Sequence, residues 1–391
     1  MTGILPVKLY CHLDRRGRSY NRIEALRGKP RVMRSLPNSI AKIFPVGQND
    51  KAKDIHYMIR VGVIGYGYWG PNLVRNFSAA EGSQVDMVCD MNQQALKKAR
   101  KAYPNIKFTA DCNELIKDPN IDVVAIATPV FTHYELAKKV LEEGKNVFVE
   151  KPFTYTSAEG EELVELAEKK NLKIMVDHTF LYTGAVKKIR QLVEDGVLGD
   201  IFYYDSVRVN LGLFQHDINV VWDLAPHDLS IMEYVIGEKP QAVVATGAEH
   251  FDRGLEDVAY LTIYFKDNVI AHINVNWLSP VKIRTTLIGG RKKMLVWNDL
   301  EPDEKIKIYD KGVQVKTKEG KYSLLVSYRS GDMWAPRVEQ TEALKLMVEK
   351  FVDCIGNGGI SINDGRAGLR VVNLLEAATK SLKSKGEMVY L

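Results

Sequence analysis

The chain has 391 residues, 46% hydrophobic and 26% charged, which excludes collagen-like, fully disordered and disulfide-scaffold classes. Its formal charge of +5 is unevenly placed, because residues 1–57 hold 12 Lys/Arg against 4 Asp/Glu and the rest holds 42 against 45, a net −3. The basic balance is local and gives no argument for a nucleic-acid partner.

Residues 1–57 interleave Arg15, Arg16, Arg18, Arg22, Arg27, Lys29, Arg31 and Arg34 with Gly, Pro, Ser and Asn. No helix or strand period is sustained there, so the segment reads as a basic, poorly ordered extension. Ile4 to Tyr10 is broken by Pro6 and Lys8 and makes no secretory h-region. No apolar run approaches the roughly 18 residues of a membrane span. Cys11, Cys89, Cys112 and Cys354 are far apart, with no Cys-x-x-Cys pair. A reducing, cytoplasmic compartment and no structural metal are expected.

From Met58 the pattern alternates short apolar runs with helical periods, as βαβ units and a parallel sheet do. Strands are predicted at 60–65, 84–90, 107–108, 123–127, 146–150 and 173–177, with helices at 70–80, 92–103, 112–117, 132–143 and 157–170. After residue 180 come a helix at 184–194, a strand at 201–209 and a long helix at 219–236. Strands then follow at 241–250, 258–265, 269–277, 282–289, 293–298, 306–309 and 312–316. Short polar turns such as Lys266-Asp267-Asn268 and Asp310-Lys311-Gly312 make this second sheet antiparallel. Helices at 339–355 and 364–384 close the chain. The expectation is an α/β protein: a doubly wound Rossmann domain over 58–180, then an α+β domain over 181–391 with a large open sheet. The closing helices are free to pack back on the first domain.

Val61-Gly62-Val63-Ile64-Gly65-Tyr66-Gly67-Tyr68-Trp69-Gly70 leaves an apolar strand and opens a helix. Gly65 permits the tight turn, Gly67 lets a pyrophosphate approach the backbone, and Gly70 allows close packing of helix on strand. Asp90 ends the second strand, where a carboxylate accepts from ribose hydroxyls and repels a 2′-phosphate; this favours NAD over NADP. Alone, either feature also fits a tight turn or a helix cap.

Two further segments end later strands, where open α/β sheets place ligands: Thr128-Pro129 with His133, and Glu150-Lys151-Pro152. A lysine at the mouth of a buried sheet is a candidate electrophile or acid/base, or a solvated strand-end lysine. Asp223 and His227, at i and i+4, project from one helix face beside Pro226. A capping pair is the competing reading.

In this order and spacing the motifs resemble the Gfo/Idh/MocA oxidoreductase family, over residues 59 to about 389. The resemblance implies a nicotinamide cofactor, a sugar or cyclitol substrate and an open sheet that serves as an oligomer interface, hence a homodimer or homotetramer. It implies catalysis by Lys151, Asp223 and His227, and cofactor contacts from Gly65, Gly67, Tyr68, Trp69, Gly70, Asp90, Thr128, Pro129, His133, Glu150 and Lys151. Residues 331–391 look most like the branch that oxidises the 3-hydroxyl of UDP-N-acetylhexosamines or their uronic acids, in cell-surface polysaccharide synthesis. The resemblance also implies a 2-oxo acid as a co-oxidant that regenerates NAD from bound NADH. Arg208, Asn210 and Arg337 are candidates for the nucleotide diphosphate, and Tyr182 for the sugar pocket. Dehydrogenases of free sugars or cyclitols, and a non-catalytic NAD-binding regulator, are the alternatives.

Overall fold

The computed structural model describes residues 58–391 except 213, 214, 216, 252 and 318–323; the expected extension over 1–57 lies outside the described residues. The first sheet is built from β1 (Ile59–Ile64), β2 (Ser83–Cys89), β3 (Lys107–Thr109), β4 (Val123–Ile126), β5 (Asn146–Val149) and β6 (Ile174–Val176). All six are parallel, in the order β3-β2-β1-β4-β5-β6. Every residue of β4 is buried, as a strand covered by helices on both faces must be. The covering helices are α1 (Gly70–Ala79), α2 (Gln93–Ala102), α3 (Cys112–Lys117), α4 (His133–Glu142) and α5 (Ser157–Lys169). Their starts are locally encoded: Asn92 and Asp111 accept amides of the following turn, and Thr156 with Glu159 forms a reciprocal capping box. The strand order reverses between β1 and β4, which opens a crevice at their carboxyl ends.

After α6 (Gly184–Glu194) come β7 (Ile201–Leu211) and α7 (Val220–Ile236). The second sheet continues with β8 (Ala242–Ala248), β9 (Val258–Tyr264), β10 (Ile270–Asn276), β11 (Leu278–Gly290), β12 (Met294–Asn298), β13 (Ile306–Thr317) and β14 (Leu324–Trp334). Helices α8 (Ala343–Gly356) and α9 (Gly365–Lys383) and the short edge strand β15 (Val389–Tyr390) end the chain. The order among described residues is β14-β13-β12-β11-β7-β10-β9-β8-β15. The sheet is antiparallel except that β10 runs parallel to β7. Its inner face carries α7, and α9 packs on β8, α7 and α5, so the closing helix touches both sheets' helical layers. Arg75 on α1 holds Glu342, just before α8, through two nitrogens at 2.9 and 2.5 Å.

Two expectations are corrected. Asp310-Lys311-Gly312 is no turn: β13 runs through it, and a register shift between Tyr309 and Lys311 absorbs the irregularity while Asp310 accepts from Arg329 Nε at 2.8 Å. Its polar residues mark a cross-strand ion pair rather than a loop. β14 and β15 are additional strands; Gly331 and Asp332 within β14 obscure its β character.

Candidate active site

The turn from β1 to α1 lies in the crevice. Gly65 has φ +96°, and a Cβ there would stand 2.4 Å from the carbonyl oxygen of Ala127, which follows β4. A Cβ on Gly70 would stand 2.0 Å from the oxygen of Gly65. Both glycines are therefore required by the chain itself. Gly67 is different: a Cβ there would meet no atom within 4 Å, so its backbone faces open space. Beside it, α1 begins without a side-chain cap, and a helix N-terminus suits an anion. Asp90 closes the turn by accepting the Tyr66 amide at 2.6 Å and the Asn92 amide at 2.7 Å. A pyrophosphate fits the open cradle at Gly67, and the acid at the end of β2 stands where a ribose would follow. Tyr68 is exposed, whereas the Trp69 indole donates to Asp177 Oδ2 at 2.8 Å.

At the end of β4, Thr128 and Thr132 share a hydroxyl contact at 2.6 Å, and Pro129 leads into a single 3₁₀ turn. His133 is buried. Its ring is 1% exposed, with Nε2 2.8 Å from the Thr128 oxygen and Nδ1 2.8 Å from the Pro152 oxygen. It fastens the loops after β4 and β5 to each other. Glu150 has its Oε1 buried without a partner among the described residues. Burial, and then the facing carboxylate of Asp177, push its pKa well above the usual range. The Lys151–Pro152 peptide is cis.

The β5 loop meets α7. Lys151 Nζ donates to the main-chain oxygen of Asp223 at 2.8 Å and lies 3.4 Å from its Oδ1. Asp223 Oδ2 accepts from the indole of Trp277 at 3.1 Å, a residue between β10 and β11 that sequence reasoning missed. One turn along α7, His227 packs its ring 4.9 Å from that of Phe180 and has Nδ1 buried without a partner among the described residues. Burial, then the charges of Lys151, Arg208, His178 and Arg284, hold its pKa well below the usual imidazole value. The ring is neutral, the form that can accept a proton. His178 is 1% exposed with neither nitrogen bonded among the described residues, and burial lowers its pKa to about 3. It lines a cavity of about 390 Å³ with Ser230, Glu233 and Arg370.

The substrate candidates are placed less uniformly. Tyr182 is buried, its hydroxyl 2.8 Å from Ser361 Oγ and donating to Asn363 Oδ1 at 2.9 Å, so it ties the chain before α9. Arg208 is 4% exposed, its Nε donating to Asp228 Oδ2 at 2.5 Å, and it stands beside Phe180 and near His227. Asn210 is partly buried near the end of β7, and Arg337 is exposed between β14 and α8. No cluster of three potential metal ligands occurs among the described residues, and no described helix is long and apolar enough to cross a membrane.

Comparison with known proteins identifies the family and the fold. Residues 59–178 match the model of an oxidoreductase family with an NAD-binding Rossmann fold, and residues 186–296 match a GFO/IDH/MocA C-terminal domain. Myo-inositol 2-dehydrogenase of Thermotoga maritima is 26% identical over 233 residues, 55% of this chain and 68% of that protein. Three other curated relatives are matched over 41–61% of their length, so the chain spans about half of them. UDP-N-acetylglucosamine 3-dehydrogenase GnnA from Acidithiobacillus ferrooxidans superposes with TM-score 0.70 at 23% identity, covering 84% of this chain and 98% of that one. GenD2 from gentamicin A biosynthesis, solved with NAD, gives TM-score 0.73 at 19% identity over 88% and 99%. At these identities the two structures share the fold.

Proposed function

The chain belongs to the Gfo/Idh/MocA oxidoreductase family, with an NAD-binding Rossmann domain, and we propose that it is a dehydrogenase acting on a secondary hydroxyl of a sugar, the 3-hydroxyl of a UDP-N-acetylhexosamine or of its uronic acid. The observation that carries this reading is the meeting of Lys151 with Asp223, one helical turn from a neutral His227, at the mouth of the parallel sheet.

NAD, held by the Gly65–Gly70 turn, Asp90 and the loop at Thr128 and Pro129, supplies the hydride acceptor when bound. The protein's own task is the proton. An alcohol is far too weak an acid to ionise near neutrality, so a base must take its proton as the hydride leaves. His227 fills that role through Nε2, since Nδ1 is buried. Lys151 donates to the same substrate oxygen and stabilises its developing charge. Asp223, fixed by Lys151 and Trp277, accepts from a neighbouring sugar hydroxyl. The chemistry also works with the roles of Lys151 and His227 exchanged. A purely NAD-binding regulator would not need all three groups in one place.

The outer face of the second sheet exposes Tyr260 and Ile270, which supports assembly into a homo-oligomer. Incubation with NAD and a panel of UDP-sugars, inositol and free hexoses, read as NADH absorbance and repeated with 2-oxoglutarate, tests the reading. Turnover of inositol alone would favour a cyclitol dehydrogenase, which the Thermotoga relative makes the second reading. No reduction with any of them would refute the proposal.

A further inference from the structure

The inner face of the second sheet holds two arginines in register. Arg208 on β7 is paired directly with Arg284 on β11, an arrangement that places like charges opposite each other at an energetic cost. Both guanidinium groups lie over the ring of Phe180, with Cζ 4.6 Å from its centroid for Arg208 and 5.7 Å for Arg284. The third neighbour of that ring is His227, at 4.9 Å. One aromatic ring thus connects two fixed cations to the proposed base.

The two arginines are unequally satisfied. Arg208 is held by both oxygens of Asp228, Nε at 2.5 Å and Nη2 at 3.4 Å, while Ser206 donates to the same carboxylate at 2.6 Å. Its Nη1 is nevertheless buried without a partner among the described residues. Arg284 has a looser counter-ion, Asp299, at 3.4 Å through Nη1, and a side chain that is 33% exposed. The solvent-reachable donors of the pair therefore belong to Arg284, with Arg208 immobilised behind it. A planar fork of donors is matched by the two coplanar oxygens of a carboxylate.

We infer that Arg284, backed by Arg208 across Phe180, forms a carboxylate-binding subsite beside His227, so that the substrate preferred is an acidic sugar, a uronate, over its neutral counterpart. This rests on the dehydrogenase reading above for the identity of the site and adds the charge of the molecule it takes. The anion would relieve the repulsion between the arginines and hold the sugar ring against the base and Lys151.

The test is equilibrium binding by calorimetry to the NAD-loaded full chain, using UDP-N-acetylglucosamine against its uronic acid and glucose against glucuronate, with glucose 6-phosphate as a further arm. The expected result is an acid preference of about tenfold or more in at least one pair, most of it lost in Arg284→Gln while the neutral sugar's affinity stays within about twofold. Should Arg284→Gln not fold, Arg284→Lys replaces it, expected to lower the preference by about three- to tenfold because the charge remains but the fork does not. The inference is overturned if neither acid binds more tightly than its partner, or if the preference survives these changes. It is also overturned if glucose 6-phosphate gains and loses as much as glucuronate, which would make the subsite one for phosphate. NADH is read on the same samples: acid-selective binding without NADH refutes the dehydrogenase reading and leaves the subsite, and NADH without acid preference does the reverse.

Discussion

Lys151 Nζ donates to the main-chain oxygen of Asp223 at 2.8 Å, joining the loop after the fifth strand of one sheet to the helix laid on the other. The contact fixes the ammonium by a backbone acceptor that no side-chain substitution at Asp223 removes. Lys151→Ala is expected to lower kcat/KM by about 10² to 10⁴. Asp223→Asn should cost less, because the backbone acceptor persists. Steady-state kinetics with NAD titration checks both, and equal losses would show that the carboxylate is the group that matters.

The glycines of the nucleotide turn should separate stability from binding. Gly70→Ala puts a Cβ 2.0 Å from the Gly65 oxygen and is expected to cost about 1–3 kcal/mol of stability. Gly67→Ala meets no protein atom within 4 Å and should leave stability within about 0.5 kcal/mol of the parent. Its effect falls on NAD, with an affinity loss of about tenfold or more. Denaturant melts and NAD titrations of the two variants would give opposite patterns.

Protonation of His227 is opposed by burial and by the surrounding cations, so the acid limb of kcat/KM that it causes should lie well below pH 6.5. His227→Asn should remove that limb and lower the plateau by about 10² to 10⁴. A limb that persists unchanged in the variant would assign the base elsewhere.

Glu233, mostly buried beside Arg370, has a pKa pushed up to about 7 by that burial. A carboxyl whose folded pKa exceeds its unfolded one stabilises the native state when protonated, and this contribution is lost as pH rises from about 4.5 through 7. Glu233→Gln does not titrate. Relative to the parent, its stability should therefore improve by up to about 3 kcal/mol between pH 5 and pH 8. Urea unfolding at the two pH values reads the difference.

Much of the first domain was legible because its information is local. Alternating apolar strands and 3.6-period helices, the caps at Asn92 and Thr156, and the Gly65–Gly70 turn all act within a few residues. The second sheet was legible in outline but not at its edge. In β13 and β14 the polar residues that resemble a turn form cross-strand pairs, and a pair exists only once the partner strand is known.

Sequence alone determined the Rossmann alternation and the glycine turn with its acid at Asp90, since each depends on spacing within one or two elements, and it marked Lys151, Asp223 and His227 as candidates. Tertiary structure alone decided which of them meet and which face they show. It brought Lys151 to Asp223 and Trp277 to the same carboxylate, turned His133 inward between two carbonyl oxygens, and spent the Tyr182 hydroxyl on Ser361 and Asn363. It also set Arg208 opposite Arg284 over Phe180. The physical reason is that such contacts follow from strand order, register and the packing of α7 on its sheet, which are set by burial summed over the whole chain and written in no single segment.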